Sequence, residues 1–363
     1  MTMTRVNEID LLRFIAALAV VFYHYSFRGY AADAMSVMPY SLLAPAAKYG
    51  YLGVELFFMI SGFVILMTAA NGCLRGFVIS RIVRLYPAFW ACCTITFAAT
   101  ILIGAPRYSA TITQYLVNMT MLSGFVGVPA IDDVYWSLFI ELRFYALIAI
   151  ILMLGKINQA QTFIVLWLIA ALFMELYPIG KLQSILITNY AAFFIAGSAC
   201  FLIWSKGFSL SRAAIILASW GLAVSQSLGH LQSFENHYNT VMNSDVVVGI
   251  ITTFFVVMIM VSLRLTGWVG RTRWLWAGAV TYPLYLLHQN IGFMVFNQAY
   301  PTVSAHLLFW TAVITSILSA YAVHILIEKR YSTHIKHGLN SFTDNLALLT
   351  TRWRSALAQK MEG

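Results

Sequence analysis

Two residues of the first apolar segment, Arg13 and His24, stand eleven positions apart. At 100° per residue this is about three turns plus 20°, so an α-helix carries both on one face, about 16 Å apart along its axis. A histidine held inside such a face can take or give a proton near neutral pH. Glu141 falls at a similar depth in a later segment, and a carboxylate there can orient an imidazole and stabilise its protonated form. Glu55 enters from the outer end of the second segment. Thr281, Tyr285 and His288 share a face at i, i+4 and i+7 around Pro283, a kinked polar stripe suited to lining a cavity. Arg81 and Arg84, three apart, present two planar guanidiniums in one direction, which suits a phosphate-rich ligand. Plainer readings stand beside these. An arginine near a helix end can snorkel to lipid phosphates, a lone histidine can satisfy a neighbouring helix, and cytoplasmic loops carry arginines whatever the function.

The elements that must position these groups follow from composition. Of 363 residues, 61% are hydrophobic and only 10% charged, with a mean hydropathy of +0.79. A soluble domain carries about a quarter charged residues, so this chain cannot cover two or three soluble domains. Its 15% aromatic content argues against disorder. The remaining solvent is a bilayer, and the partner of most of the surface is lipid. Spans of roughly 20 apolar residues are expected at 9–29, 50–70, 86–104, 135–154, 161–178, 185–204, 211–229, 246–264, 277–298 and 304–327. The chain therefore reads as an all-α polytopic membrane protein of about ten transmembrane helices. The longest connection, 105–134, mixes Thr, Gly and Pro with apolar residues and reads as a re-entrant or interfacial piece.

Sorting the 22 Lys and Arg residues by side gives sixteen with the N-terminus, four opposite, and Arg13 and Arg143 within spans. The positive-inside rule then puts both termini in the cytoplasm. The net charge of +9 is distributed as a membrane topology requires, so no nucleic-acid partner is expected. Cys73, Cys92, Cys93 and Cys200 show neither a disulfide framework nor metal-ligand spacing; they read as small core residues, and no metal is expected. The first apolar segment outruns a signal-peptide core and lacks a cleavage site, so it reads as a retained span. Residues 1–330 form the expected membrane domain and 331–363 a cytoplasmic tail. In that tail Phe342, Leu346, Leu349, Trp353 and Leu357 recur at spacings of four, three, four and four, the pattern of an amphipathic helix lying on the inner leaflet. A frayed tail is the alternative.

Five segments carry a resemblance. Arg13 and His24 stand in an R-x10-H pair, and Gly53-Val54-Glu55-Leu56-Phe57-Phe58 leads to Ser61-Gly62-Phe63. Arg81-Ile82-Val83-Arg84 forms an RxxR segment, Trp136-Ser137-Leu138 precedes Glu141, and Tyr285-Leu286-Leu287-His288 follows late. In order and spacing these resemble the membrane-bound acyltransferase-3 family of bacterial O-acyltransferases, over residues 5 to about 330. The resemblance implies an acyl-CoA donor, usually acetyl-CoA from the cytoplasm, and an acceptor hydroxyl on a glycan or a glycosylated small molecule. It implies catalytic roles for His24 and Glu141, donor binding by Arg13, Arg81 and Arg84, and substrate contacts from Glu55, Ser61, Trp136, Tyr285 and His288. It also implies a multi-pass protein of the bacterial inner membrane. The chain ends soon after the tenth segment, so a stand-alone member without an appended domain is expected.

On this reading His24 is either a general base or a nucleophile that carries the acyl group. A proton-coupled transporter or flippase could use the same buried His and Glu. A receptor or scaffold would leave the ionisable stripe unexplained. Whether the chain forms a homo-oligomer is open at this point.

Overall fold

The computed structural model describes residues 5–31 and 34–361, with side chains up to Asn345 and at Leu348. Every regular element among the described residues is helical. The long helices are α1 (Asn7–Tyr23), α2 (Gly53–Ala69), α3 (Leu74–Ile103), α4 (Trp136–Met153) and α5 (Ala160–Leu176). They continue as α6 (Thr188–Lys206), α7 (Leu210–Gly229), α8 (Ser244–Ser262), α9 (Leu275–Ala299), α10 (Ala305–Val323) and α11 (Lys329–Met361). A π-helical turn, His24–Arg28, extends α1, and another, His324–Glu328, joins α10 to α11.

Nine helical stretches among the described residues are long and apolar enough to cross a membrane. The tenth expected span is α9, which has the length but not the apolarity. Its Thr281, His288, Gln289 and Asn290 are all buried inside the bundle, where polar groups in a membrane protein have to go. Leu102, Leu172, Leu217, Leu318 and other large apolar side chains point outward, as a lipid-facing surface requires.

Close helix approach rests on small residues, because apolar surface gains little by leaving lipid for another helix. A Cβ on Gly62 would strike the carbonyl of Phe194, and one on Gly197 the carbonyl of Met59, so α2 and α6 meet backbone to backbone. Gly50 and Gly53 abut the carbonyls of Ala19 and Ala16 in the same way, drawing the start of α2 against α1. The neighbours of α1 are thus α2 and α9, while α4 packs on α2.

One expectation changes. The arginine-bearing segment before residue 86 is not a loop: α3 begins at Leu74, so Arg75, Arg81 and Arg84 ride its first turns, and Pro87 lies within the helix. The 105–134 connection runs back along α3, where Trp90 Nε1 donates to the carbonyl of Met119 and the Tyr86 hydroxyl to that of Thr120. Cys92, Cys93 and Cys200 are buried, whereas Cys73 is exposed and its sulfur accepts from the Gly76 N–H. Helix α11 covers the tail, with Phe342 exposed; the side chains of Leu346, Leu349, Trp353 and Leu357 lie outside the described residues.

Candidate active site

The first π turn begins at His24 and places Arg28 four residues on. His24 Nδ1 is 2.8 Å from His288 Nε2, and Arg28 Nη1 is 3.3 Å from His24 Nε2. His288 Nδ1 faces only carbonyl oxygens, those of Leu284 at 3.1 Å and Tyr285 at 2.9 Å. A carbonyl cannot donate, so Nδ1 of His288 must carry its proton, and Nε2 is left as an acceptor. His24 Nδ1–H donates to it, which leaves the lone pair of His24 on Nε2, on the side of Arg28. The hydrogen bonds thus fix both tautomers in series. His24 is 5% exposed and His288 is fully buried. The Tyr25 hydroxyl donates to the His288 carbonyl at 2.6 Å and meets the Ser316 hydroxyl at 2.9 Å, fastening α1 to α9 and α10.

Beyond this pair a polar layer continues toward the 105–134 connection. Arg28 Nη1 donates to Gln289 Oε1 at 3.3 Å, and Gln289 Nε2 reaches Asp133 Oδ2 at 3.5 Å. Asp132 accepts from the Asn290 and Val134 backbone N–H groups. Burial pushes its carboxyl up to about 7, against those N–H groups, which favour the anion.

On the other side of Tyr285 lies a cavity of about 290 Å³ between α1, α2, α3, α4 and α9. Its walls include Arg13, Arg81, Arg84, Glu141, Tyr282 and Tyr285. Arg81 Nη2 donates to Ser80 Oγ at 2.9 Å, while its Nε has no hydrogen-bond partner among the described residues. Arg84 Nη2 donates to the Gly278 carbonyl at 3.3 Å, and its Nη1 is 3.6 Å from Glu328 Oε1. The Tyr282 hydroxyl is buried and unpaired. Arg13 and Arg84 also line a neighbouring cavity of about 480 Å³ that reaches Arg5 and Asp10, so the two cavities share a cationic wall on the way to the N-terminus, a passage if that wall parts. Tyr285 also lines the cavity, and its hydroxyl meets Ser137 Oγ at 2.7 Å.

The structure divides the sequence-selected residues into two groups. Arg13, Arg81, Arg84, Ser61, Glu141 and Tyr285 share the cavity, whereas His24 and His288 form a separate pair one turn past Tyr285. The expected pairing of His24 with Glu141 is not found: Glu141 Oε1 accepts from Ser61 Oγ at 2.6 Å. They are not neighbours, because Glu141 lines the cavity on one side of the Tyr285–Ser137 contact and His24 meets His288 beyond it. Trp136 is exposed and packs edge-on against Phe58, and Tyr190 touches both rings. Glu55 is half-buried with Oε2 unpaired, outside the cavity's lining. Arg143 meets the Ser184 carbonyl and the Phe125 ring rather than an acid. The sequence reading missed Arg28, Ser137, Gln289 and Glu328. Arg28 could have been found at i+4 from His24, and Gln289 in the polar run His288-Gln289-Asn290 of an otherwise apolar helix. No group of His, Cys, Asp or Glu among the described residues could hold a metal ion.

Comparison with known proteins agrees with the motifs. A family model described as an acyltransferase domain matches residues 6–327. Nodulation protein 10 of Rhizobium leguminosarum bv. viciae is 28% identical over 167 residues, 40% of this chain and 44% of that protein. The chain thus spans less than half the length of that curated relative. No solved structure matches.

Proposed function

This chain belongs to the acyltransferase-3 family and is a multi-pass membrane acyltransferase; from that premise we propose that it moves an acyl group, acetyl in the first instance, from acyl-CoA to a hydroxyl of a glycan or glycosylated small molecule. The single observation that carries this reading is the tautomer series His288–His24, ending in a lone pair on His24 Nε2, set one turn from a cavity lined by three arginines.

The donor is triply phosphorylated and its acyl end is apolar. Arg81, Arg84 and Arg13 supply cationic donors for phosphates, and the unpaired Arg81 Nε and Tyr282 hydroxyl are hydrogen-bonding groups that a ligand would satisfy. For the acyl group to meet His24, the Tyr285–Ser137 contact has to part. With Arg28 Nη1 displaced from it, His24 Nε2 takes the proton of the acceptor hydroxyl as its oxygen attacks the thioester carbonyl; the C–S bond breaks, and the imidazolium returns the proton to the CoA thiolate. The imidazolium that forms keeps its Nδ1–H on His288 Nε2, so His288 does the orienting that a carboxylate does in a catalytic triad. An acyl-histidine intermediate would use the same lone pair.

The proposed orientation puts both termini and the Arg75–Arg84 turns in the cytoplasm, which supplies acyl-CoA to the arginine-lined end; the bacterial inner membrane is the matching location. The test is mass spectrometry of surface glycans from cells with and without this chain. An added acyl mass that depends on the chain supports the reading; substrate movement without acylation would favour a transporter instead.

A further inference from the structure

Outside the passage just described, Arg84 faces a third space. Between α3 and the start of α11 runs a groove of about 510 Å³, lined by Ser80 and Arg84 on one side and Glu328, Lys329, Ser332 and Lys336 on the other. Ser80 and Arg84 also line the inner cavity, so the groove and the cavity share a wall. Both ends of the groove are pinned. At the far end Arg75 Nη1 meets Asp344 Oδ1 at 2.6 Å and Arg75 Nη2 donates to the Asn340 carbonyl at 2.8 Å. At the near end the carboxylate of Glu328 is held by His324 Nδ1 at 2.7 Å and points its second oxygen at Arg84.

Lys329 and Lys336 are exposed and have no ion-pair or hydrogen-bond partner among the described residues. They stand seven residues apart, 20° short of two turns, and so share a face about 10 Å apart along the axis. With Arg84 they make three separated cationic points around one space whose one buried acid, Glu328, is already engaged by His324. Separated points suit a ligand whose phosphates are spaced by a sugar better than one carrying a single phosphate.

Resting on the acyl-CoA reading above, we infer that this groove holds the nucleotide end of the donor, with Lys329 and Lys336 receiving the ribose 3′-phosphate and Arg84 the diphosphate that leads inward. Lys329, Lys336 and Ser332 lie beyond the stretch matched by the family model, which ends at residue 327. On this account the first turns of α11 are part of the donor site.

The test uses the full chain in phosphatidylcholine nanodiscs and compares binding of CoA with that of 3′-dephospho-CoA. The parent should prefer CoA by about ten-fold or more, the scale of a charge-assisted contact. Lys329→Ala/Lys336→Ala should abolish that preference while leaving affinity for 3′-dephospho-CoA within about two-fold, since the phosphates that remain are held elsewhere. Lys329→Arg/Lys336→Arg should keep the preference and shows that folding is intact. Equal binding of the two ligands by the parent, or an unchanged preference in the double alanine variant, overturns the assignment and leaves the donor reading standing. Absence of CoA binding by the parent overturns both. If the lysine pair instead governs retention of phosphatidylglycerol and not CoA affinity, the phosphate it reads belongs to lipid and the assignment fails.

Discussion

The His24–His288 pair and the arginine-lined cavity lie on opposite sides of Tyr285 and solve opposite problems. The pair is sealed and satisfied: each ring nitrogen has a partner, and no carboxylate among the described residues is hydrogen-bonded to either ring. The cavity is open and unsatisfied. The side chain of Arg84 is 38% exposed, Arg81 Nε and the Tyr282 hydroxyl have no hydrogen-bond partner among the described residues, and Glu141 accepts from Ser61. A satisfied polar pair is rigid, which is what aiming a lone pair needs; a cationic cavity with spare donors is completed by an anion. The contrast assigns proton transfer to one region and donor binding to the other, and substitutions can break that division in a definite order.

The largest effect is expected at the pair. His24→Ala should lower acyl transfer by about 100-fold to 10,000-fold, the range for a general base, while CoA binding by the purified protein stays at the parent level. His288→Ala should cost on the order of 100-fold in rate, because the imidazole remains but loses the acceptor that fixes its tautomer. His288→Gln, whose side-chain carbonyl can accept from His24 Nδ1–H, should recover part of that loss; equal losses in the Ala and Gln variants would show that His288 serves packing alone.

The next effect belongs to the cavity and moves a different quantity. Arg84→Ala or Arg81→Ala should weaken donor affinity by about ten-fold or more, read by calorimetry with CoA, and lysine should rescue only partly because the planar fork is lost. Unchanged CoA affinity in the double alanine variant would mean that these arginines only set topology. The smallest effect is expected at Glu141→Gln. Its amide oxygen can still accept from Ser61, so only the charge is lost and not the hydrogen bond, and transfer should fall less than about ten-fold. A loss as deep as that of His24→Ala would restore the His24–Glu141 pairing that depth alone suggested and would undo the division.

What could be read before the fold was known, and what could not, follows from the kind of information each step used. Hydropathy gave the helices, because a span must be apolar over a fixed length. It also flagged Arg13, His24 and Glu141, because charge inside a span is costly enough to be rare. It did not give neighbours. Position along a helix gives depth, but the partner of His24 depended on which helices touch, and that was decided by Gly50 and Gly53 drawing α2 onto α1 and by α9 filling the other side. The same limit hid Glu328. It sits on a π turn after the last expected span, and nothing in its local sequence shows that the turn brings it to Arg84. Hydropathy places the start of α3 at 86 for another reason: three arginines lower it before that point, yet they and Pro87 are accommodated within a 30-residue helix.

The central claim, that His24 acts as the base only as one unit with His288, is tested most directly by a double-mutant cycle on acyl transfer. His24→Ala, His288→Ala and the double variant would be compared with the parent at equal amounts in the membrane, reading the acyl mass added to surface glycans per unit time. If the two rings work as a unit, the double variant is no slower than His24→Ala alone, because orienting a base that is absent contributes nothing. Losses that multiply, or near-parent transfer by His24→Ala, would contradict the account.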